Sequence, residues 1–426
     1  KVIENKLTIN DNYVPVGSKK LIVEHNQTIK VGDHITITRP SSKEWIEKLG
    51  TDHFGGGITS IGWKPGQRDI NWDRVVTAVN GNEILIDAPL TNAIEKEYSE
   101  SYVNLYKWED RVEQIGVENV KLVSSYDSSN SKDEDHRWMA ISVNNAKDIW
   151  IRRIAFHHFA GSAVFLLSSS QRVTVEDCIS LEPISEIGGQ RRYTFHTKGQ
   201  QTLFQRCYSE GGYHDFSIGY MAAGPNAFVH CHAYDSYNFS GAVDSWSTGS
   251  LFDNVYIDNH AISFKNRGQD GNGAGWAAAN SLIWQSSAAL VECEQPPTAM
   301  NWAYGIWSQF NGNGYWEKSN EHIKPRSMYY ALLSARIGNS VSKRALFKPI
   351  DGGGTSSPTV ELAKVLTADS YAVESSLKDF IYQTINNNPL NIKLDGMLLT
   401  DEVKQNSINK LPSRNMTIHN GWLVAQ

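Results

Sequence analysis

No run of about 18 apolar residues occurs in the sequence, so no membrane-spanning helix is expected. Basic charge is not in excess either: 40 Lys and Arg stand against 46 Asp and Glu, a formal net charge of −6. Phosphate backbones are bound by clustered cations, so nucleic acid is not an expected partner. A polyanionic substrate stays compatible, because a local cationic groove can form on a mildly acidic protein. Cysteine is sparse: Cys178, Cys207, Cys231 and Cys293 show no CxxC pair and no zinc spacing. The glycine-rich stretch Arg267-Gly-Gln-Asp-Gly-Asn-Gly-Ala-Gly-Trp276 lacks the Gly-Lys-Ser/Thr of a phosphate loop. No signal peptide is visible, and the chain starts at Lys1. A processed N-terminus and a secreted or periplasmic bacterial protein are the resulting expectations.

What is present points to an extended soluble fold. Hydrophobic residues make up 40% and charged residues 20%, a globular balance. Single cores stop growing near ~250–300 residues, yet the chain has 426. Repeat folds escape that limit because each repeat packs only on its neighbours. Aromatics are plentiful, with 13 Trp and 18 Tyr. Their faces suit sugar stacking as well as core packing.

The decisive signal is an internal repeat of short β-type segments: Asn119-Val-Lys-Leu-Val123, Asp148-Ile-Trp-Ile-Arg152, Arg172-Val-Thr-Val-Glu176, Thr202-Leu-Phe-Gln205, Ala227-Phe-Val-His230, Ser250-Leu-Phe-Asp253 and Ser281-Leu-Ile-Trp284. Aligning them puts Ile154, Cys178, Cys207, Cys231 and Val255 in one column, with steps of 24, 29, 24 and 24 residues. Three strands of about five residues plus turns fill such a coil. The longer step predicts an extra loop near Glu182–Arg191. A β-sandwich repeats every 8–12 residues or so and carries hairpin turns, and Asn-Gly turns are scarce between 115 and 290. The pattern predicts an all-β, right-handed parallel β-helix over 111–345, with the cysteines as a buried ladder of small apolar side chains. Residues 1–110 read as a β-rich N-terminal cap, including a hairpin at Asn80-Gly81-Asn82. Residues 346–426 read as a mixed C-terminal extension or small module, with a short helix at Leu377–Asn386 and a Gly352-Gly-Gly354 linker.

The segments Trp150-Ile-Arg-Arg-Ile-Ala-Phe156 and Arg172-Val-Thr-Val-Glu-Asp-Cys178 resemble the coil signature of pectate-lyase-like β-helix proteins. The stretch 76–90 resembles the segment that often precedes such helices. The chain is also similar to bacterial β-helix proteins sharing Gly188-Gly-Gln-Arg-Arg-Tyr193, His214-Asp-Phe216 and Arg267-Gly-Gln-Asp-Gly271. The resemblance covers roughly residues 20–340. It implies a carbohydrate-active fold whose members include polysaccharide lyases, glycoside hydrolases and esterases. The Asn-Thr-Asp, Asp-Asp and Gly-His-Gly set of polygalacturonases is missing, as is a clear pectate-lyase calcium set. Fold alone does not settle the chemistry.

Outward residues of successive coils line up about 5 Å apart, which directs attention to Arg191–Lys198, Tyr213–Ser217 and Gly241–Trp246. Alignment places His196 and Asp244 in equivalent columns two coils apart, with Asp215 on the coil between. Asp215 and Asp244 are the candidate carboxylate pair, at a separation of roughly 9–10 Å. Inverting glycosidases place theirs about 6.5–9.5 Å apart. The alternative is that both cap turn backbone. His196 and His214 are candidate proton-transfer groups; eight of the 13 histidines, His157 and His158 among them, fall between 136 and 260. Arg191, Arg192, Lys198, Lys265 and Arg267 suggest an acidic sugar, unless Arg191 and Arg192 are salt-bridged to Glu182 or Glu186. Tyr213, Tyr220 and Trp246 are candidate sugar platforms, and Asp270 and Trp276 are offered by the glycine-rich loop. No metal ligand set is assigned and no cofactor is required. A calcium site in Lys132-Asp-Glu-Asp-His-Arg137 is the alternative to an exposed loop. The leading expectation is a glycoside hydrolase on a complex, acidic polysaccharide. The alternatives are a polysaccharide lyase acting by β-elimination on a uronate polymer and a non-catalytic glycan-binding β-helix.

Overall fold

The computed structural model describes residues 1–339, 359–370, 376–387, 416–419 and 422–425. From Val112 to Glu317 the strands pair in parallel with the strand one coil later, which makes a right-handed parallel β-helix. Cys178 lies directly beside Cys207 in register. The flanking pairs Tyr208↔His232 and His232↔Tyr256 carry the column on through Cys231 to Val255. All three of those cysteines are free and buried among Ile154, Val175 and Phe204. Like residues stack on like along the core: Phe195 lies on Phe216 with centroids 5.7 Å apart, and Phe204 on Phe228 at 4.7 Å. Each such ring removed from water contributes about 1.5–3 kcal/mol.

The corners between strands are equally regular. Asn119, Arg153, Asp177, Arg206, His230, Asn254, Gln285, Gly305 and Lys318 follow one another coil by coil, and every one has φ between 43° and 64°. Left-handed backbone costs a non-glycine residue about 1–2 kcal/mol, so side chains in this column must offset the strain. They do so by bonding along it: Arg153 Nε donates to Asn119 Oδ1 at 2.6 Å, and Arg206 Nε to Asp177 Oδ1 at 2.6 Å.

Residues before Val112 form a six-stranded antiparallel sheet in the order Val2–Thr8, Tyr102–Lys107, His34–Arg39, Ile70–Asn80, Glu83–Ile86, Lys20–Ile22. Its hairpin turns at Gly81 and Asn82, where Gly81 supplies a φ of 59°. The unit lies along the flank of the helix. Arg74 donates to Gly224 O, Trp246 Nε1 to Asn92 Oδ1, Trp276 Nε1 to Leu49 O and Trp63 Nε1 to Gly273 O.

Two helices cover other outer faces. Met328–Ile337 starts at the Ser327 cap and packs Tyr330 on Ala227 and Val229. Leu377–Asn387, one residue longer than expected, lays Leu377, Ile381 and Ile385 over Ala155, Ile179 and Leu181. Val360–Ser370 is also helical. The Gly352–Gly354 linker and most of the 346–426 extension lie outside the described residues, apart from these helices and the antiparallel strands Met416–His419 and Trp422–Ala425. No described helix is long and apolar enough to cross a membrane.

Candidate functional site

One face of the helix is built from the short strands Ser162–Leu166, Phe195–Thr197, Phe216–Ile218 and Ser240–Ala242. Because Val164 pairs with Phe195 and Phe195 with Phe216, the outward residues just ahead of each strand also align. Ser162, Tyr193, His214 and Asn238 form one column, and Phe165, His196, Ser217 and Gly241 a second. Both columns open into a cleft of about 650 Å³. The inserted loop after Leu181 brings Gly189 and Gln190 over it, and the glycine-rich loop brings Arg267, Gly271 and Asn272. Trp138 and Met139 line one end.

The cleft floor is an aromatic and imidazole cluster. His196 stacks on Phe165 with centroids 4.7 Å apart, and its Nδ1 is 2.8 Å from Ser217 Oγ. Tyr193 stands edge-on to His214 at 4.7 Å and lies 5.6 Å from His196. His214 Nδ1 donates to the Phe239 carbonyl at 2.5 Å, which leaves its Nε2 as the lone-pair nitrogen. Burial, then the charges of Lys198 and His214, push His196 down to about 3. Burial pushes His214 down to about 3 as well, against the pull of the Phe239 carbonyl toward the charged form. Both imidazoles are therefore neutral across the physiological range. Burial also raises the Tyr193 phenol, so it stays protonated.

Lys198 lies two residues after His196 and on the same side. Below it in the next coil is Gly219, and the absence of a side chain there is what makes room. A Cβ on Gly219 would sit 2.7 Å from His196 Nε2 and 3.0 Å from Lys198 Cε. Elsewhere on the helix, Arg152, Arg153, Arg172, Arg191 and Arg206 are all ion-paired. Lys198 and Arg267 have no carboxylate partner among the described residues; Arg267 Nη1 instead donates to Val243 O. Among the described residues lining the cleft, Asp244 is the sole carboxylate. Its Oδ1 accepts from Ser245 N–H at 2.7 Å.

The structure thus gathers His196, His214, Lys198, Tyr213, Asp244 and Arg267 around one cleft, with Tyr213 edge-on to His214 at 4.8 Å. It does not gather the others. Asp215 is fully buried, accepts from Ser209 Oγ at 2.5 Å and Ser236 Oγ at 2.7 Å, and is held above the usual carboxylate range by burial. It follows the outward His214 and precedes the inward Phe216, so its carboxyl turns into the corner and the expected Asp215/Asp244 pair does not converge. Nor is Asp244 equivalent to His196: the residue two coils below His196 is Gly241, three positions earlier. Trp246 is buried edge-on against Trp45 at 4.9 Å, and Trp276 bonds Leu49; neither faces the cleft, because the N-terminal unit covers them. Arg191 is paired with Glu134, and Arg192 is buried on Ser185 and Gly211 O, so the sequence had the pairing principle right for Arg191 but not the partner. Asp270 is exposed beyond the cleft edge. In the 132–137 loop, Asp133 accepts from its own turn backbone, while His136 is bonded by Ser124 and the Ile184 carbonyl. Tyr193, Phe165, Trp138, Gln190 and Asn238 were not singled out from sequence.

The cleft continues at both ends. A recess of about 700 Å³ shares Met139 with it. A second of about 470 Å³, walled by Gln67, Asn71 and Trp108 of the N-terminal unit, shares Lys198 and includes Tyr220. Arg68 of that unit bonds the Tyr220 hydroxyl at 2.9 Å and Ser245 Oγ at 3.1 Å.

Comparison with known proteins matches residues 314–426 to a domain of unknown function, DUF6298. No curated protein matches the chain. Three solved structures are similar at low identity. The Gp54 tailspike of Acinetobacter baumannii bacteriophage AP22, in complex with A. baumannii capsular saccharide, is 9% identical over 73% of this chain and 60% of that one, with a TM-score of 0.31. The tailspike gp61 of Pseudomonas phage phi297 is 9% identical over 72% and 63%, TM-score 0.31. The tailspike gp49 of Pseudomonas phage LKA1 is 11% identical over 74% and 60%, TM-score 0.30. The chain spans less than two thirds of the length of each of these proteins.

Proposed function

We propose that the protein is a polysaccharide lyase that cleaves a uronate-containing polymer by β-elimination in the cleft around His214. The observation that carries this reading is the charge inventory of the cleft: two cations without carboxylate partners among the described residues, two neutral imidazoles, two phenols and a single carboxylate. Hydrolysis by paired carboxylates lacks its second member, since Asp215 is sealed away. β-Elimination has what it needs. Lys198 and Arg267 bind the uronate carboxylate and stabilise the charge that develops on it as the adjacent C5–H proton leaves. His214 Nε2 takes that proton. The C4–O glycosidic bond breaks as the C4–C5 double bond forms, and the Tyr193 hydroxyl protonates the departing oxygen. A buried imidazole is a weak base in the empty cleft, but a substrate carboxylate beside it favours the imidazolium and raises its basicity. The recesses joined through Met139 and Lys198 give neighbouring sugar units room, which suits a polymer. Asp244 is placed to accept a sugar hydroxyl.

Incubation with a panel of uronate polymers tests the reading. New absorbance from unsaturated uronate supports it. Reducing ends without that absorbance mean hydrolysis, and binding without either product means a glycan-binding protein.

Two further results are expected. Gly219→Ala places a methyl against His196 Nε2, and displacement of this order costs about 10²-fold in kcat/KM. The thermal midpoint should fall as well, because the methyl meets the buried His196 ring; turnover that stays normal well below that midpoint would locate the effect in the fold alone. The pH profile is the second. A solvated imidazole gains its proton near about pH 6.5, whereas the lowered value of His214 keeps it neutral well below that. The acid limb of kcat/KM for the free enzyme should therefore stay flat from about pH 7 to about pH 5. A half-maximal fall near about pH 6.5 would assign the base to an exposed histidine instead.

A further inference from the structure

We propose that His157, His158 and Glu182 form a binding site for one zinc-class divalent cation, at a corner of the helix outside the glycan cleft. One ligand atom from each lies within 4.8 Å of the others. His158 Nε2 is 3.1 Å and His157 Nδ1 3.7 Å from Glu182 Oε2. A tetrahedral ion about 2.0–2.1 Å from each ligand holds pairs of ligands roughly 3.3–3.4 Å apart. The two measured edges bracket that value, and the third, between the imidazoles, lies within 4.8 Å.

The fold explains why these three meet. Neighbouring residues of a strand point to opposite faces. His157 ends its strand, and His158 takes the left-handed corner with φ 67°, which swings the two rings to one side. His157 pairs in register with Leu181, so Glu182, itself left-handed at φ 52°, occupies the same corner one coil on. Tyr126 stands edge-on to His158 at 4.9 Å and holds that ring. Two imidazoles and a carboxylate suit a borderline ion such as Zn²⁺, whereas Ca²⁺ and Mg²⁺ take oxygen ligands throughout. The Glu182 side chain is 66% exposed, so the fourth position opens to water. Glu182 also begins the inserted loop that carries Gly189, Gln190 and Tyr193 to the cleft. An ion here would tie the root of that loop to the coil before it.

Titration of the full chain, without a polyhistidine tag, with Co²⁺ and then Zn²⁺ tests this. One Co²⁺ per chain with visible absorption of a tetrahedral centre, displaced by Zn²⁺, is expected. Glu182→Gln and His158→Asn should each weaken binding by at least about tenfold; Asn tolerates the left-handed corner, so the second variant should fold. Absence of saturable binding at micromolar metal, or binding unchanged in both variants, overturns the proposal.

Discussion

Replacing His214 with Asn is expected to lower kcat on a uronate polymer by about 10²–10⁴-fold, the contribution of a positioned general base. KM should change little. The Asn side-chain nitrogen takes the place of the imidazole Nδ1 and can still donate to the Phe239 carbonyl that now holds Nδ1 at 2.5 Å. It cannot accept a proton. The cleft shape, with Tyr193 and Tyr213 edge-on to residue 214, should survive. His196→Gln should cost less, because Lys198 beside it disfavours a second positive charge. Initial rates of unsaturated-product formation measure both. Turnover of the His214 variant within a few-fold of the parent protein would place the base elsewhere in the cleft.

The second large effect concerns stability. Asp177→Asn is expected to destabilise the fold by about 3–5 kcal/mol, the cost of breaking a buried ion pair from one side. Asp177 and Arg206 occupy successive positions in the left-handed corner column, and their side chains are 8% and 6% exposed. One guanidinium edge meets both carboxylate oxygens, with Nε at 2.6 Å and Nη2 at 3.2 Å. Asn keeps the backbone preference for that corner, so the loss isolates the charge. Urea unfolding of Asp177→Asn, Arg206→Gln and the double variant measures the coupling. A loss under about 1 kcal/mol would mean that Glu176, 3.3 Å from Arg206 Nη2, suffices alone.

The repeat was legible because the inner wall of a coil tolerates few residue types. Cys178, Cys207 and Cys231 recur at one depth, and the 29-residue step between the first two forecast an inserted loop. The cleft face was harder. Its strands are three residues long at Phe195–Thr197, Phe216–Ile218 and Ser240–Ala242, too short for alternation to fix direction. One residue decides that His214 faces the cleft and Asp215 does not. Counting on through the turn after Ala242 misplaced Asp244 by three positions against His196. Trp246 and Trp276 were illegible for another reason: what covers them, Asn92 and Leu49, lies 154 and 227 residues away in the chain. Tyr193 carried a usable signal, since it stands one coil above His214 within a segment already marked by Arg191, His196 and Lys198.

The insertion between Glu182 and Tyr193 leaves the stacking on either side undisturbed, with Cys178 still beside Cys207 and Phe195 still beside Phe216. Chain length at that corner is therefore a free variable for evolution. Segments can be lengthened, shortened or exchanged there while the rails that bear the load stay in place. On the proposed function, preference for one glycan over another can be altered at this rim without disturbing the helix beneath it, and grafting rim segments is a practical route to new preferences.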